Sequence, residues 1–165
     1  MKIFNFFNKK EKKDKNDMCI VSPVSGELLN ISEVPDEAFS QKMMGDGFAV
    51  KSHDGAVVSP VDGEVQLVFE TKHAIGLKTD NNLEILLHFG IDTVNLNGEG
   101  FEVFVKAGDK VKAGDRLMQV DLEYIKANAK SDITPVIFTN LEEGKSVELI
   151  LGDIMSGEKE RIKIV

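Results

Sequence analysis

From residue 18 onward the chain consists of short apolar runs that are separated by glycine, proline, asparagine and aspartate. The runs are rich in valine, isoleucine, leucine and phenylalanine, and such runs between turn-forming residues are typical of β-strands. The 14 glycines supply the many tight turns that this arrangement needs. No long amphipathic helical pattern interrupts the runs. The pattern therefore predicts an all-β domain.

A motif that occurs twice limits the β architectures that the chain can adopt. SPVSGE at 22–27 returns as SPVDGE at 59–64, and KAGD occurs twice within 106–115. A repeated strand–turn–strand unit predicts an antiparallel β-sandwich or barrel that is made of similar hairpins.

Two short helices are expected within this β framework. Residues 35–43 begin with Pro35, which suits a first helical position, and two acidic residues follow it. Residues 122–130 form the second predicted helix, with Asp121 as its N-cap. The final segment, 141–165, reads as closing strands.

Charge divides the chain into a tail, 1–17, and a domain, 18–165. The tail holds six of the 20 basic and three of the 28 acidic residues, so the domain carries 14 basic and 25 acidic residues. Such an acidic domain makes nucleic acid an unsuitable partner, because phosphate binding depends on clustered lysine and arginine. The tail's apolar and basic residues fit either a weak contact of residues 1–10 with anionic membranes or a solubilising segment.

The remaining composition indicates a cytoplasmic protein. The chain has 165 residues, enough for one domain with an ordinary core. No apolar run approaches the roughly 20 residues that a membrane span needs, and no signal peptide precedes the domain. The single cysteine, Cys19, is expected to be a buried free thiol.

Two of the three histidines, His73 and His88, flank a predicted hairpin. If 74–79 and 82–89 are antiparallel strands joined by a loop with an even number of residues, His73 lies directly opposite His88. Directly opposed residues have Cβ atoms about 4.5–5.5 Å apart on one face. A loop with an odd number of residues would place the two rings on opposite faces.

The even register also separates the apolar residues into a histidine face and a core face. It pairs Ile75 with Leu86 on the histidine face, near the hydroxyl of Thr71 and the carboxylate of Asp92. The core face would hold Leu83, Ile85, Leu87 and Phe89.

Three chemistries fit an exposed histidine pair: a nucleophile that carries a phosphoryl group, a general base, or two ligands of zinc. Two structural histidines are the alternative. A zinc hydrolase usually has three protein ligands, and the third would have to be Asp92 or an acidic residue from elsewhere in the chain. The third histidine, His53, lies in a predicted surface turn and is given no role.

The residues around the pair resemble a known family. Thr71-x-His73-Ala74 and the string LLHFGIDTV at 86–94 are similar to the glucose-class enzyme IIA of the bacterial phosphoenolpyruvate-dependent sugar phosphotransferase system. The likeness extends in colinear order over residues 20–140. It implies an antiparallel β-sandwich of the duplicated-hairpin, barrel-sandwich type with one or two short helices.

The resemblance also implies roles for the three polar residues. His88 would accept a phosphoryl group from the histidine-containing phosphocarrier protein and pass it to a cysteine on the IIB domain of a sugar permease. His73 would form a hydrogen bond with the phosphoryl group in transit, and Thr71 would orient His73. The protein would thus be a phosphotransferase that acts through phosphohistidine.

A docking face follows from the same resemblance. Its apolar positions would be Phe39, Met43, Met44, Phe69, Leu86 and Val94. Asp36 and Asp92 would be carboxylates at its rim that meet basic residues of the donor. The two methionines suit a surface that repacks against different partners, and ordinary core filling is their alternative interpretation.

The expected protein is a stand-alone, monomeric enzyme IIA that requires no metal and no other cofactor. A regulator whose phosphorylation state controls other proteins is compatible with this role. A zinc hydrolase and a biotinyl or lipoyl carrier, suggested by KAGDKVKAGD at 106–115, are the rivals. The residues do not name the sugar.

Overall fold

The computed structural model describes residues 18–165, and the tail predicted at 1–17, with its membrane contact, lies outside them. Within the described part the strands are β1 (Gly26–Asn30), β2 (Asp46–Ser52), β3 (Ala56–Val58), β4 (Gly63–Val68), β5 (Ala74–Lys78), β6 (Glu84–His88), β7 (Phe101–Val103), β8 (Lys110–Val111), β9 (Arg116–Val120), β10 (Ile133–Phe138), β11 (Val147–Leu149), β12 (Gly152–Ile154) and β13 (Ile162–Ile164). The helices are α1 (Glu37–Ser40) and α2 (Leu122–Asn128), and 3₁₀ turns cover Ile31–Glu33 and Thr93–Leu96.

The strands form three antiparallel sheets. The largest has the order β12-β1-β2-β10-β6-β5-β4-β8, the second is β3-β9-β7, and the third pairs β11 with β13. The main core cluster combines residues of the first two sheets, such as Phe48 and Leu87 from one and Leu117 and Met118 from the other. The sheets therefore pack face to face, and the predicted antiparallel β-sandwich with short helices is confirmed.

The repeated motif forms two equivalent turns. Buried Ser22 donates its hydroxyl hydrogen to the carbonyl of Val24, and buried Ser59 does the same to Val61, both at 2.7 Å. The two copies also exchange backbone hydrogen bonds, because Val21 N–H donates to Pro60 and Val58 N–H donates to Pro23. The sequence echo is thus a structural duplication across the middle of the sandwich.

Both predicted helices exist and both are shorter than predicted. Helix α1 begins after Asp36, whose carboxylate accepts from the N–H of Ala38 at 2.9 Å, so Pro35 precedes the N-cap and is not the first helical residue. Helix α2 has the predicted N-cap, since Asp121 accepts from the N–H of Tyr124. It ends when Ala129 adopts an extended conformation.

The predicted register of the β5–β6 hairpin is wrong by one residue. Lys78 pairs with Glu84 and Ala74 pairs with His88, so the residue opposite His88 is not His73. The loop has an odd number of residues, because Asn82 takes a left-handed φ of 67° after a turn that begins at Thr79. A turn followed by one left-handed residue is the usual three-residue hairpin loop.

The corrected register changes which residues lie on each face. Ile75 pairs with Leu87 and is fully buried in the core, so it does not line the histidine face. Leu86 pairs with Gly76. Of the predicted core residues, Ile85, Leu87 and Phe89 are buried as expected, whereas Leu83 is only partly buried against the core.

Two further expectations concern the surface. Cys19 is exposed, although the neighbouring Ile20 is buried, so the prediction of a buried thiol is wrong. Among residues 18–165 no helix is long and apolar enough to cross a membrane.

Candidate functional site

His73 and His88 meet despite the shifted register. Their ring centroids are 4.7 Å apart and the rings stand nearly perpendicular, at 82°. His73 precedes β5 and lies in a bend, after Lys72 with a left-handed φ of 62°. Because the bend lies outside the regular strand, the side chain of His73 is not bound by the alternation of β5 and reaches the ring of His88. Proximity of the pair was predicted correctly, but from the wrong geometry.

His88 is the last residue of β6, and its ring is held by the chain that follows. Its Nδ1 lies 2.8 Å from the carbonyl oxygen of Gly90. A carbonyl only accepts hydrogen bonds, so Nδ1 carries the hydrogen and Nε2 carries the lone pair. Burial lowers the pKa of His88 below its usual value, against the opposing effects of the Gly90 carbonyl and the carboxylates of Asp36 and Asp92. The ring is therefore neutral at pH 7 and presents Nε2 as a nucleophile.

His73 is the more deeply buried ring. Its side chain is almost inaccessible, and its Nδ1 lies 2.8 Å from the hydroxyl of Thr71. Burial, followed by the proximity of His88, lowers the pKa of His73 to about 4. His73 is therefore also neutral at pH 7. When the hydroxyl of Thr71 donates to Nδ1, the hydrogen of the His73 ring lies on Nε2 and is free to be donated.

Two phenylalanines lie against the histidine pair. The ring of Phe39, from α1, is centred 5.1 Å from that of His88, and the ring of Phe69 is centred 5.5 Å from that of His73. Phe39 is buried in a small second cluster with Ile91 and Ile137. These apolar neighbours are a direct cause of the burial that lowers both histidine pKa values.

The remaining predicted docking residues lie on the segments that flank this pair. Met43 and Met44, just after α1, are 72% and 39% exposed, so they are not core-filling residues. Val94, in the 3₁₀ turn, is 46% exposed, and Leu86 is partly buried against the second cluster. Met43, Met44 and Val94 therefore present apolar side chains to solvent.

The two rim carboxylates differ in their environment. Asp36 is partly buried because it caps α1. Asp92 is exposed and has a left-handed φ of 61°, so the backbone turns sharply immediately after Ile91. Both carboxylates raise the pKa of His88, which shows that they lie within electrostatic reach of its ring.

His53 lies apart from this arrangement. It is exposed in the turn between β2 and β3, and its backbone N–H donates to the carbonyl of Ser25. For residues 18–165 no group of three or more histidine, cysteine, aspartate or glutamate side chains is arranged to hold a metal ion. Asp92 thus does not complete a three-ligand zinc site with the histidine pair.

The residue that orients His88 was missed by the sequence analysis. The carbonyl of Gly90 holds Nδ1, and a backbone carbonyl leaves no trace in residue type. Gly90 itself carries a signal, because its φ is +73° and a Cβ there would lie 2.8 Å from the carbonyl oxygen of Ser131. Only glycine fits this position without displacing the backbone.

Comparisons with known proteins identify the family of the chain. Residues 18–144 match the family model described as phosphoenolpyruvate-dependent sugar phosphotransferase system, EIIA 1. A PTS system glucose-specific EIIA component of Oceanobacillus iheyensis is 49% identical over 162 residues, which cover 98% of each chain. One of Staphylococcus aureus is 52% identical over 140 residues, covering 85% of this chain and 84% of that protein.

A solved structure extends the comparison to the fold. The glucose permease IIA from Mycoplasma capricolum has a TM-score of 0.83 and 40% identity, covering 88% of this chain and 94% of that one. The residues matched by the family model, 18–144, include both histidines and the chain that follows them. The protein belongs to the EIIA 1 family of the phosphoenolpyruvate-dependent sugar phosphotransferase system.

Proposed function

We propose that His88 is the phosphoacceptor of a glucose-specific sugar phosphotransferase system. It takes a phosphoryl group from the histidine-containing phosphocarrier protein and passes it to a cysteine of a sugar-specific IIB domain. The observation that carries this proposal is the placement of the His88 ring, whose Nδ1 lies 2.8 Å from the carbonyl oxygen of Gly90 and whose centroid lies 4.7 Å from that of His73. The relatives are glucose-specific components, which favours glucose as the sugar.

In each of the two transfer steps, one bond forms and one bond breaks. The Nε2 lone pair of His88 attacks the phosphorus, and the P–N bond to the donor's histidine breaks with its electron pair returning to that ring. In the second step the cysteine thiolate attacks, the P–N bond to His88 breaks, and a P–S bond forms. The hydrogen stays on Nδ1, hydrogen-bonded to the Gly90 carbonyl, in both steps, so no proton has to leave His88.

His73 stabilises the phosphoryl group in transit. Its ring stands edge-on to His88, and Thr71 holds its Nδ1. With the hydroxyl of Thr71 donating, the Nε2–H of His73 is available to a phosphoryl oxygen. Because this donor is held before the reaction begins, little reorganisation accompanies charge transfer to the phosphoryl group.

The exposed apolar side chains beside the pair serve as the docking face. Met43, Met44 and Val94 are exposed, and the rings of Phe39 and Phe69 lie against His88 and His73. Partner binding over this surface would remove water from the phosphoryl group. The acidic residues Asp36 and Asp92 would attract basic residues of the donor.

The proposed reaction takes place in the cytoplasm on a monomer and without a cofactor. The phosphoryl group moves between side chains, so positioning and charge stabilisation are the main demands on the protein. The partners are protein domains, and nucleic acid is not one of them, since residues 18–165 carry a net charge of −11.

Intact mass spectrometry tests the phosphoacceptor. The protein and its His88→Ala, His73→Ala and His53→Ala variants are incubated with phosphoenolpyruvate, enzyme I and the histidine-containing phosphocarrier protein. Wild type and His53→Ala, the matched exposed histidine, should gain one acid-labile phosphoryl group, whereas His88→Ala should gain none. His73→Ala should be loaded but should fail to phosphorylate the IIB domain.

Two outcomes would contradict the proposal. If His88→Ala is loaded as fully as wild type, another residue is the phosphoacceptor. If wild type gains no mass while a known enzyme IIA in the same mixture is loaded, the chain does not accept a phosphoryl group from this donor.

A further inference from the structure

The peptide group between Phe89 and Gly90 is held from both sides by buried threonines. The hydroxyl of Thr93 donates to the carbonyl oxygen of Phe89 at 2.7 Å. The N–H of Gly90 donates to the hydroxyl oxygen of Thr134 at 3.3 Å. Both threonines are fully buried, so water does not compete for these hydrogen bonds.

The next peptide group, between Gly90 and Ile91, carries the contact with His88. Its carbonyl oxygen accepts from Nδ1 of His88 at 2.8 Å, and its N–H donates to the carbonyl of Ser131 at 2.9 Å. Gly90 joins the two peptide groups with a φ of +73°. Glycine has the greatest backbone freedom of any residue, so the orientation of its carbonyl depends on what holds the flanking peptide groups.

The hydroxyl of Thr134 has defined donor and acceptor roles. It donates to the carbonyl of Asp132 at 3.1 Å, which leaves its lone pairs for the N–H of Gly90. The hydroxyl of Ser52 lies 3.3 Å away and completes the buried network. Valine has the shape of threonine but cannot accept from Gly90, whereas serine retains the hydroxyl.

We propose that Thr134 and Thr93 are positioning residues of the phosphoacceptor. By holding the peptide group before Gly90, they keep the Gly90 carbonyl on Nδ1 of His88 and so keep the lone pair on Nε2. The catalytic consequence rests on the proposed function of His88. The effect on the tautomer of His88 does not, because it is a property of the unphosphorylated protein.

The test compares Thr134→Val with Thr134→Ser. Nitrogen-15 NMR of the imidazole reports the tautomer of His88, and loading by the phosphocarrier protein reports kcat and KM. Thr134→Val should lower the population of the Nδ1–H tautomer and slow loading about five- to tenfold through kcat, as expected for one lost hydrogen bond, with KM for the donor unchanged. Thr134→Ser should retain both properties.

Thr79→Val is the matched control. Thr79 is another buried threonine, and its hydroxyl accepts from the N–H of Leu83 in the loop between β5 and β6. Its replacement should lower the free energy of unfolding without changing the tautomer of His88. A general loss of stability is thereby separated from a specific loss of positioning.

The proposal is overturned if Thr134→Val has the tautomer and the kcat of wild type, or if Thr134→Ser is as slow as Thr134→Val. If Thr134→Val does not fold, hydrogen exchange in the wild-type protein decides. The amide hydrogen of Gly90 should exchange as slowly as the amide hydrogens of β6. If it exchanges as fast as the amides of an exposed loop, the proposed positioning by Thr134 is refuted. If wild type is not loaded at all, the proposed function fails while the NMR and exchange results still test the positioning.

Discussion

Replacing Gly90 by alanine should be far more damaging than replacing a glycine of similar backbone conformation elsewhere. Gly90 has a φ of +73°, and a Cβ built on it would lie 2.7 Å from the Cγ2 of Thr93 and 2.8 Å from the carbonyl oxygen of Ser131. Gly108, in the first KAGD turn, has a φ of +96°, and nothing lies within 4 Å of the position of its Cβ. The two substitutions share the backbone strain, and only one adds a collision.

The magnitudes follow from these contacts. A left-handed conformation costs alanine about 1–2 kcal/mol at either position. At Gly90, overpacking adds about 1–3 kcal/mol. Displacing Ser131 also weakens the hydrogen bond from Ile91, which contributes about 1 kcal/mol. Gly108→Ala should therefore lower the free energy of unfolding by about 1–2 kcal/mol and Gly90→Ala by about 3 kcal/mol or more.

Urea denaturation of both variants measures the difference, and loading with the phosphoryl group measures its consequence. Gly90→Ala should unfold at a clearly lower urea concentration than Gly108→Ala, and its His88 should be loaded more slowly because the carbonyl that holds Nδ1 has moved. Equal free energies of unfolding for the two variants would refute the argument, since the close approach at Gly90 would then carry no energetic cost.

Two further predictions concern the histidine pair. Because the pKa of His73 is lowered to about 4 by burial and by His88, the unfolded chain binds more protons than the native one between pH 6.5 and pH 4. As the pH falls through that window, the shifted titration of His73 should lower the free energy of unfolding by about 3 kcal/mol, and the decrease should be smaller in His73→Gln; an unchanged pH dependence in that variant would contradict this. Phe39→Ala should lower the free energy of unfolding by about 3–5 kcal/mol. It should also raise the pKa of His88, measured by NMR titration, because burial is the main cause that lowers this pKa. A pKa that does not change would show that Phe39 does not contribute to that burial.

Local sequence signals predicted much of the fold because they act over a few residues. Asp121 predicts the start of α2 because its carboxylate reaches the N–H of Tyr124, three residues away. The two SPV motifs predict equivalent turns because each serine reaches a carbonyl two residues ahead. Interactions of this range are decided within the segment itself.

The sequence predicted that His73 and His88 lie together, but it did not predict the register and the bend that bring them together. Alternation of apolar residues correctly placed Ile85, Leu87 and Phe89 in the core. The prediction for Ile75 was wrong because it rested on a loop with an even number of residues between β5 and β6. Alternation also failed to foresee that His73 lies in a bend, where alternation no longer applies.

The loop that decides the register is set by a distant residue. The side chain of Asn140 donates to the carbonyl of Asn82 and accepts from the N–H of Glu84, both at 2.7 Å. The sequence by itself determined the strand-rich fold, the two equivalent SPV turns, the buried face of β6 and the two histidines that belong together. Only the tertiary structure decided the register of the hairpin and the orientation of His88. The reason is that Asn140 and Thr134, which are distant in sequence, form hydrogen bonds with the backbone of Glu84 and Gly90.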